Sequence, residues 1–149
     1  MNKYEQIAFK IFASGIVAGK KYVIREDGRI QALKSFGKVK KNDVGGFIKS
    51  EKNLSHNGNC WVFDSAKVEG NARVYGNARI YGDWALITKN AQVFENAVVT
   101  NGIVSDNAKV FGKAVVYEMA HVLGNSEISG DVFLVNEKIR DTKLDSNQR

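Results

Sequence analysis

His56, Cys60 and His121 are the imidazole and thiol groups of a 149-residue chain, and their spacing limits the chemistry open to it. His56 and Cys60 lie four apart, but with one further histidine no zinc cluster of recognisable spacing can be written. No metal and no cofactor are expected. Ser55, Ser65 and Ser105 would need a His–Asp pair to become nucleophiles, and the periodicity described below brings none to them. The other candidate chemistry is electrostatic. Lys20, Lys21, Arg25, Arg29, Lys34, Lys38, Lys40 and Lys41 crowd about twenty residues, and such a patch attracts phosphates or an acidic protein face. It lacks the aromatic interleaving of single-strand binders, so a solvated surface is the plainer reading and nucleic acid contact the alternative.

Composition narrows the setting. Residues 1–52 carry 12 Lys or Arg against 5 acids, while residues 53–149 carry 10 against 11, so the basic character belongs to the front third. No apolar run approaches the roughly 20 residues of a membrane helix, and "MNKYEQIAFKIFASGIVAG" carries an acid and a second lysine inside its apolar stretch, unlike a signal peptide. A cytoplasmic location and no membrane partner are the expectations.

The elements that must position these residues follow from a repeat. Aligned on the residue after Asn or Asp, the chain reads "NCWVFD" (59–64), "SAKVEG", "NARVYG", "NARIYG" and "DWALIT" (83–88), then an intruding Lys89. "NAQVFE", the five-residue "NAVVT" (96–100), "NGIVSD", "NAKVFG", "KAVVYE", "MAHVLG", "NSEISG" and "DVFLVN" (131–136) follow, with "NLSHNG" (53–58) as a candidate first hexad. In such a hexad the aliphatic residue points inward from a short strand. Gly and Asn form a corner in the left-handed conformation they tolerate best, and the small residue packs inside it. Three sides close a triangular coil of 18 residues, and coils stack as parallel β-structure about 4.8 Å apart. The absence of proline agrees, because every strand donates to a neighbouring coil. A sandwich of short strands would place its turns every 8–12 residues rather than every six.

The fold expected is therefore all-β: a parallel β-helix of about four to five coils over 53–136. A basic cap over 1–52 precedes it and a charged tail over 137–149 follows. Within the cap, "YEQIAFKIF" spaces Tyr4, Ile7, Ala8, Ile11 and Phe12 as one helical face, and "YVIREDGRIQAL" (22–33) reads as a hairpin turning at Gly28. A cap is needed because an open coil presents unpaired strand edges.

Every third hexad shares a face. One face stacks Tyr75, Phe94 and Phe111 flanked by Arg73, Gln92 and Lys109, an amphipathic column. A second holds Trp61, Phe63, Arg79, Tyr81, Val98, Val115, Tyr117, Phe133 and Val135. The third holds Ala85, Ile87, Ile103, His121 and Leu123 beyond Lys67 and Glu69. Contiguous apolar strips facing water signal a partner surface, most simply another copy in a dimer or trimer. The interface set is Ala85, Ile87, Val98, Ile103, Val115, Tyr117, His121, Leu123 and Phe133. Inward placement of His56 and Cys60 makes them packing residues rather than ligands.

The hexads resemble the left-handed β-helix of the hexapeptide-repeat superfamily. "IQALKSFGKVKKNDVGGFIKSEKNLSHNGNCWVFDSAKVEGNARVYG" (30–76) is more narrowly similar to YdcK-like proteins and small prophage-encoded relatives, which share an "ALxxFxxVKxxxxGGFI" lead-in followed by "NLSxxGxCWVxDxAxVxGNA". The resemblance implies a fold and no settled activity. Many members of the superfamily are trimeric acyltransferases, which would make His121 a general base at a subunit boundary, but the long pocket-building loop of those enzymes has no counterpart here. The carbonic anhydrase members need three histidine ligands, and this chain has two histidines. The expected role is a non-catalytic interaction protein that binds an acidic protein or nucleoprotein through the basic segment or the aromatic column. The prophage resemblance implies an accessory protein, such as an inhibitor of a bacterial defence complex like a CRISPR effector. A structural phage component is the remaining alternative.

Overall fold

The structure, a computed structural model, describes residues 19–146; the helix expected around Tyr4–Phe12 lies outside them. The described chain is an all-β solenoid of three parallel walls, and the two five-stranded walls give it five coils. Wall one stacks Lys67–Val68, Leu86–Ile87, Ile103–Val104, His121–Leu123 and Lys138–Arg140. Wall two stacks Trp61–Val62, Arg79–Tyr81, Val98–Thr100, Val115–Tyr117 and Phe133–Val135. Wall three stacks Arg73–Val74, Gln92–Val93, Lys109–Val110, Glu127–Ile128 and Lys143–Leu144. Among the described residues no helix is long and apolar enough to cross a membrane.

The core repeats one arrangement. Ala66, Ala72, Ala78, Ala91, Ala97, Ala108, Ala114 and Ala120 are buried at corners, and an aliphatic residue two positions on, such as Val68, Val74 or Ile80, fills the interior. Each corner turns through a left-handed residue, glycine at Gly70, Gly76, Gly112, Gly124 and Gly130, but Asp64, Lys89, Glu95 and Asp106 elsewhere. Stacking supplies what torsion costs. The backbone N–H of Asn71 reaches the Lys89 carbonyl and that of Asn77 the Glu95 carbonyl, both at 2.8 Å.

The register break differs from the expected one. Ala78 is followed by Ala85, seven residues on, so the extra residue enters the corner at Gly82–Trp84 and not at Lys89. Lys67 accordingly pairs with Leu86, and Leu86 with Ile103, one residue beyond and one short of the 18-residue repeat. The first offset shifts Ala85 and Ile87 onto inward positions, where both are buried. They cannot belong to an outward interface, and Leu86 and Thr88 take their places. The solenoid also runs past residue 136, because Lys138–Arg140 and Lys143–Leu144 add to walls one and three.

At the other end, Tyr22–Ile24 and Arg29–Ala32 form an antiparallel hairpin, and Val44–Ile48 pairs antiparallel with its second strand and parallel with Lys67–Val68. This sheet extends wall one and covers the first coil. Trp61, expected outside, is buried beneath it between Tyr22 and Phe36, whose rings meet it edge-on at 6.2 and 5.3 Å. Buried Asn53 fixes the lead-in to the coil: its Oδ1 accepts the N–H groups of Lys49 and Ser50, and its Nδ2 donates to the carbonyls of Gly70 and Ala72.

Candidate functional site

The basic segment divides into a structural half and an exposed half. Lys21 is 1% exposed. Its ammonium donates to the Cys60 carbonyl at 2.7 Å and the Gly58 carbonyl at 3.3 Å, and lies 4.7 Å from the centre of the Phe36 ring. Lys21 is a brace for the first coil and not part of a binding patch. Arg29 forks to the carbonyls of Gly45 and Asp64 and to Ser65 Oγ, with its guanidinium over the Phe47 ring at 4.4 Å. Lys20 pairs with Glu51 at 2.9 Å and Arg25 with Asp27 at 3.1 Å. Lys34, Lys38, Lys40 and Lys41 are exposed on the loop between the second and third strands. A cleft of about 630 Å³ lies where the hairpin meets wall one, but Arg29, Lys49 and Lys67 share it with Glu26, Asp27, Glu69 and Asp83. Charges of both signs do not make a phosphate cradle.

His56 and Cys60 stay near each other without making a metal site. Cys60 is buried, but His56 sits at the edge of the cap rather than inside the coil, stacked on Tyr22 at 4.2 Å. Its Nδ1 accepts the Lys21 N–H at 3.1 Å, which leaves the proton on Nε2 to donate to Glu51 Oε1 at 2.9 Å. Both ring nitrogens are engaged, and among the described residues no three His, Cys, Asp or Glu side chains converge as ligands. Burial pushes the Cys60 thiol up, with the Lys21 ammonium opposing it, so the reactive thiolate is disfavoured.

Glu51 anchors the exposed side of this cluster. Its hydrogen bond from Lys20, followed by that from His56, holds its carboxyl below the usual carboxylate value of 4.5. A carboxyl lowered on folding contributes stability that is present above the unfolded value and lost as pH falls through the folded one. Thermal stability is therefore expected to decline below about pH 4.5, and Glu51→Gln to flatten that part of the pH profile of Tm.

The walls present three different surfaces. On wall three the rings of Tyr75, Phe94 and Phe111 stack at 4.8 and 4.9 Å, within 4° of parallel. The Arg73 guanidinium lies 5.6 Å from the Tyr75 ring centre, and Tyr75 donates to Gln92 Oε1. Both faces of Phe94 and the inner faces of Tyr75 and Phe111 are spent on one another, so the column, with exposed Lys109 beside it, offers mainly ring edges rather than a platform for several bases. On wall one, His121 stands between Ile103 and Lys138 in register. A cationic neighbour is the opposite of the carboxylate that orients a general base. Leu123 and Ile103 are half-buried.

Wall two carries the apolar strip. Val98 and Val115 are half-buried in register with Phe133, which is 52% exposed, while Tyr117 leads on to Val135 at 44%. The Tyr117 and Phe133 rings lie 5.8 Å apart. Beside this wall, the corner leading to wall one holds two residues that sequence reasoning missed: Trp84, 75% exposed, and Met119, 53% exposed. The signal was present in the seven-residue spacing of Ala78 and Ala85, since aligning on alanine rather than on Asn or Asp assigns Trp84 to the bulging corner.

Among family models, the YdcK Beta solenoid repeat matches residues 70–83, ending where the extra residue enters the corner. No curated protein matches the chain.

Proposed function

We propose that this chain, a β-solenoid carrying the YdcK repeat, is a non-catalytic binding module that docks a macromolecule on wall two. The observation that carries the reading is the strip of Val98, Val115, Tyr117, Phe133 and Val135, apolar side chains held outward on a parallel sheet with Phe133 and Val135 about half exposed. Large apolar groups left contiguous in water mark a contact surface, and a tyrosine beside a phenylalanine is the composition of an interface centre. Lys34, Lys38, Lys40 and Lys41 at the capped end favour an acidic protein or nucleoprotein face and speed encounter with it. A rigid body seated on such a face would occlude it, so inhibition of a larger bacterial assembly, such as a defence complex, is the mode of action this reading suggests.

Tyr117→Lys combined with Phe133→Lys should abolish retention of bacterial macromolecules by the immobilised chain at low salt while leaving Tm unchanged, because both side chains face solvent. Equal retention by the variant and the wild type, or none by either, would sink the reading.

A further inference from the structure

The corner between walls two and one differs from the other two corners of the solenoid. Over residues 63–65, 82–84, 100–102 and 117–119 it contains Asp64, Asp83 and Glu118 and no lysine or arginine. The corner between walls one and three, by contrast, balances Asp106 with Lys89 and Arg140. The acids are built into its ladder: Asp64 accepts the Gly82 N–H, Asp83 the Ser65 N–H, and Glu118 accepts from the Asn101 amide, whose oxygen takes the Trp84 N–H. Their charges are fixed in place while Trp84 and Met119 project beyond them. Two coils separate Trp84 from Met119, roughly 10 Å at the spacing of parallel strands. The result is a pair of exposed apolar side chains with an acidic rim, against which Arg29 of the cap stands only at the first-coil end, beside Asp64 and Ser65.

The same molecule carries the complement. Lys34, Lys38, Lys40 and Lys41 are exposed on one loop, and the loop is held in shape by the Phe36–Val39 bridge, the Lys41 N–H to Ser35 Oγ bond and the Lys40 N–H to Asp43 bond. Its Lys38 borders a cleft with Asn59, Asn77 and Asn96, at the corner between walls three and two. A loop fixed at one corner cannot reach the ridge at another, so the contact must join two molecules.

We propose that the Trp84–Met119 ridge docks the Lys34–Lys41 loop of a second copy of this chain. The contact is heterologous, so it builds a ring or an open array according to the rotation it imposes. It lies on the corner that borders wall two, where Tyr117 belongs to both surfaces, so Phe133, which lies outside this corner, is the residue that tells the two contacts apart.

Sedimentation velocity over a concentration series tests this. At low salt the average mass is expected to rise with concentration and to return to the monomer near 1 M salt, where screening shortens the Debye length to about 3 Å. Trp84→Ala should hold the chain monomeric with its circular dichroism and Tm intact. Variant one reverses the loop (Lys38→Glu, Lys40→Glu, Lys41→Glu) and variant two reverses the ridge (Asp83→Lys, Glu118→Lys). Each should be monomeric alone, and an equimolar mixture should associate again, because each then complements the other. A monomer under every condition overturns the proposal, as does association that survives both reversals. Association that resists salt and is lost in Phe133→Lys alone assigns self-contact to wall two and also overturns it.

Discussion

Gly46→Ala is expected to destabilise the chain by about 3 kcal/mol or more, read as a fall in the denaturation midpoint at unchanged m-value. Gly45 and Gly46 are the second and third residues of the strand Val44–Ile48, a poor choice for a strand on entropy alone, and a glycine there signals a close backbone approach. A Cβ at Gly46 would strike the Ala66 carbonyl oxygen and come within 2.8 Å of Val62 Cγ1; one at Gly45 would strike the Val62 carbonyl and meet Trp61 Nε1 at 2.9 Å. The nearest obstacle at each position is a backbone carbonyl of the first coil, which cannot yield without losing the ladder to the second, where the Trp61 N–H donates to the Ala78 carbonyl and the Phe63 N–H to the Ile80 carbonyl. The hairpin turn provides the contrast. Gly28 has φ +89°, and its added Cβ would meet Phe47 Cδ1 at an ordinary 3.5 Å. Gly28→Ala should cost only the left-handed torsion, about 1–2 kcal/mol. A Gly46→Ala midpoint equal to that of the wild type would show that the cap does not press on the first coil as described.

Lys21→Ala should rank next, at about 3 kcal/mol. It removes the side-chain donor that reaches the Gly58 and Cys60 carbonyls and empties a volume between Phe36, Cys60 and the cap. Lys21→Met separates the two contributions. It restores most of the volume but not the donor, so its midpoint should lie between those of Lys21→Ala and the wild type. Burial lowers the Lys21 pKa against the opposing Cys60 thiol, so the folded chain disfavours the charged amine. If instead Lys21→Ala unfolded at the wild-type midpoint, Lys21 would be returned to the surface patch that its sequence neighbours suggest.

How far the architecture could be read from the chain follows from where the repeat is regular. Between Asn107 and Val135 each hexad has its alanine, serine or valine at the corner and an aliphatic residue two places on, and the inward positions predicted there are buried. The misreading came at Asp83–Thr88. Asn and Asp mark corners by torsion, but other residues take the left-handed place as well, Lys89 and Glu95 among them, so torsional markers drift where packing does not. Alanine is the better marker because only a small side chain fits inside the corner. Trp61 and Lys21 were misplaced for a different reason. Their environment is made by long-range contact between the cap and the first coil, and no local period encodes it. A lysine among seven other bases looks solvated until its carbonyl partners, 37 and 39 residues away, are known. His56 moves the other way: the period turns it inward, but its stacking on Tyr22 and its bond to Glu51 hold it half-buried at the edge of the cap.

Hydroxyl-radical footprinting of the chain, dilute in buffer and then in bacterial lysate at low salt, tests docking on wall two most directly. Tyr117 and Phe133 are expected to lose reactivity in the lysate and to regain it when added salt releases the partner. Tyr75 and Phe94, stacked on wall three, should react equally in both. Unchanged reactivity at Tyr117 and Phe133, or protection confined to wall three, would contradict the assignment of wall two as the docking surface.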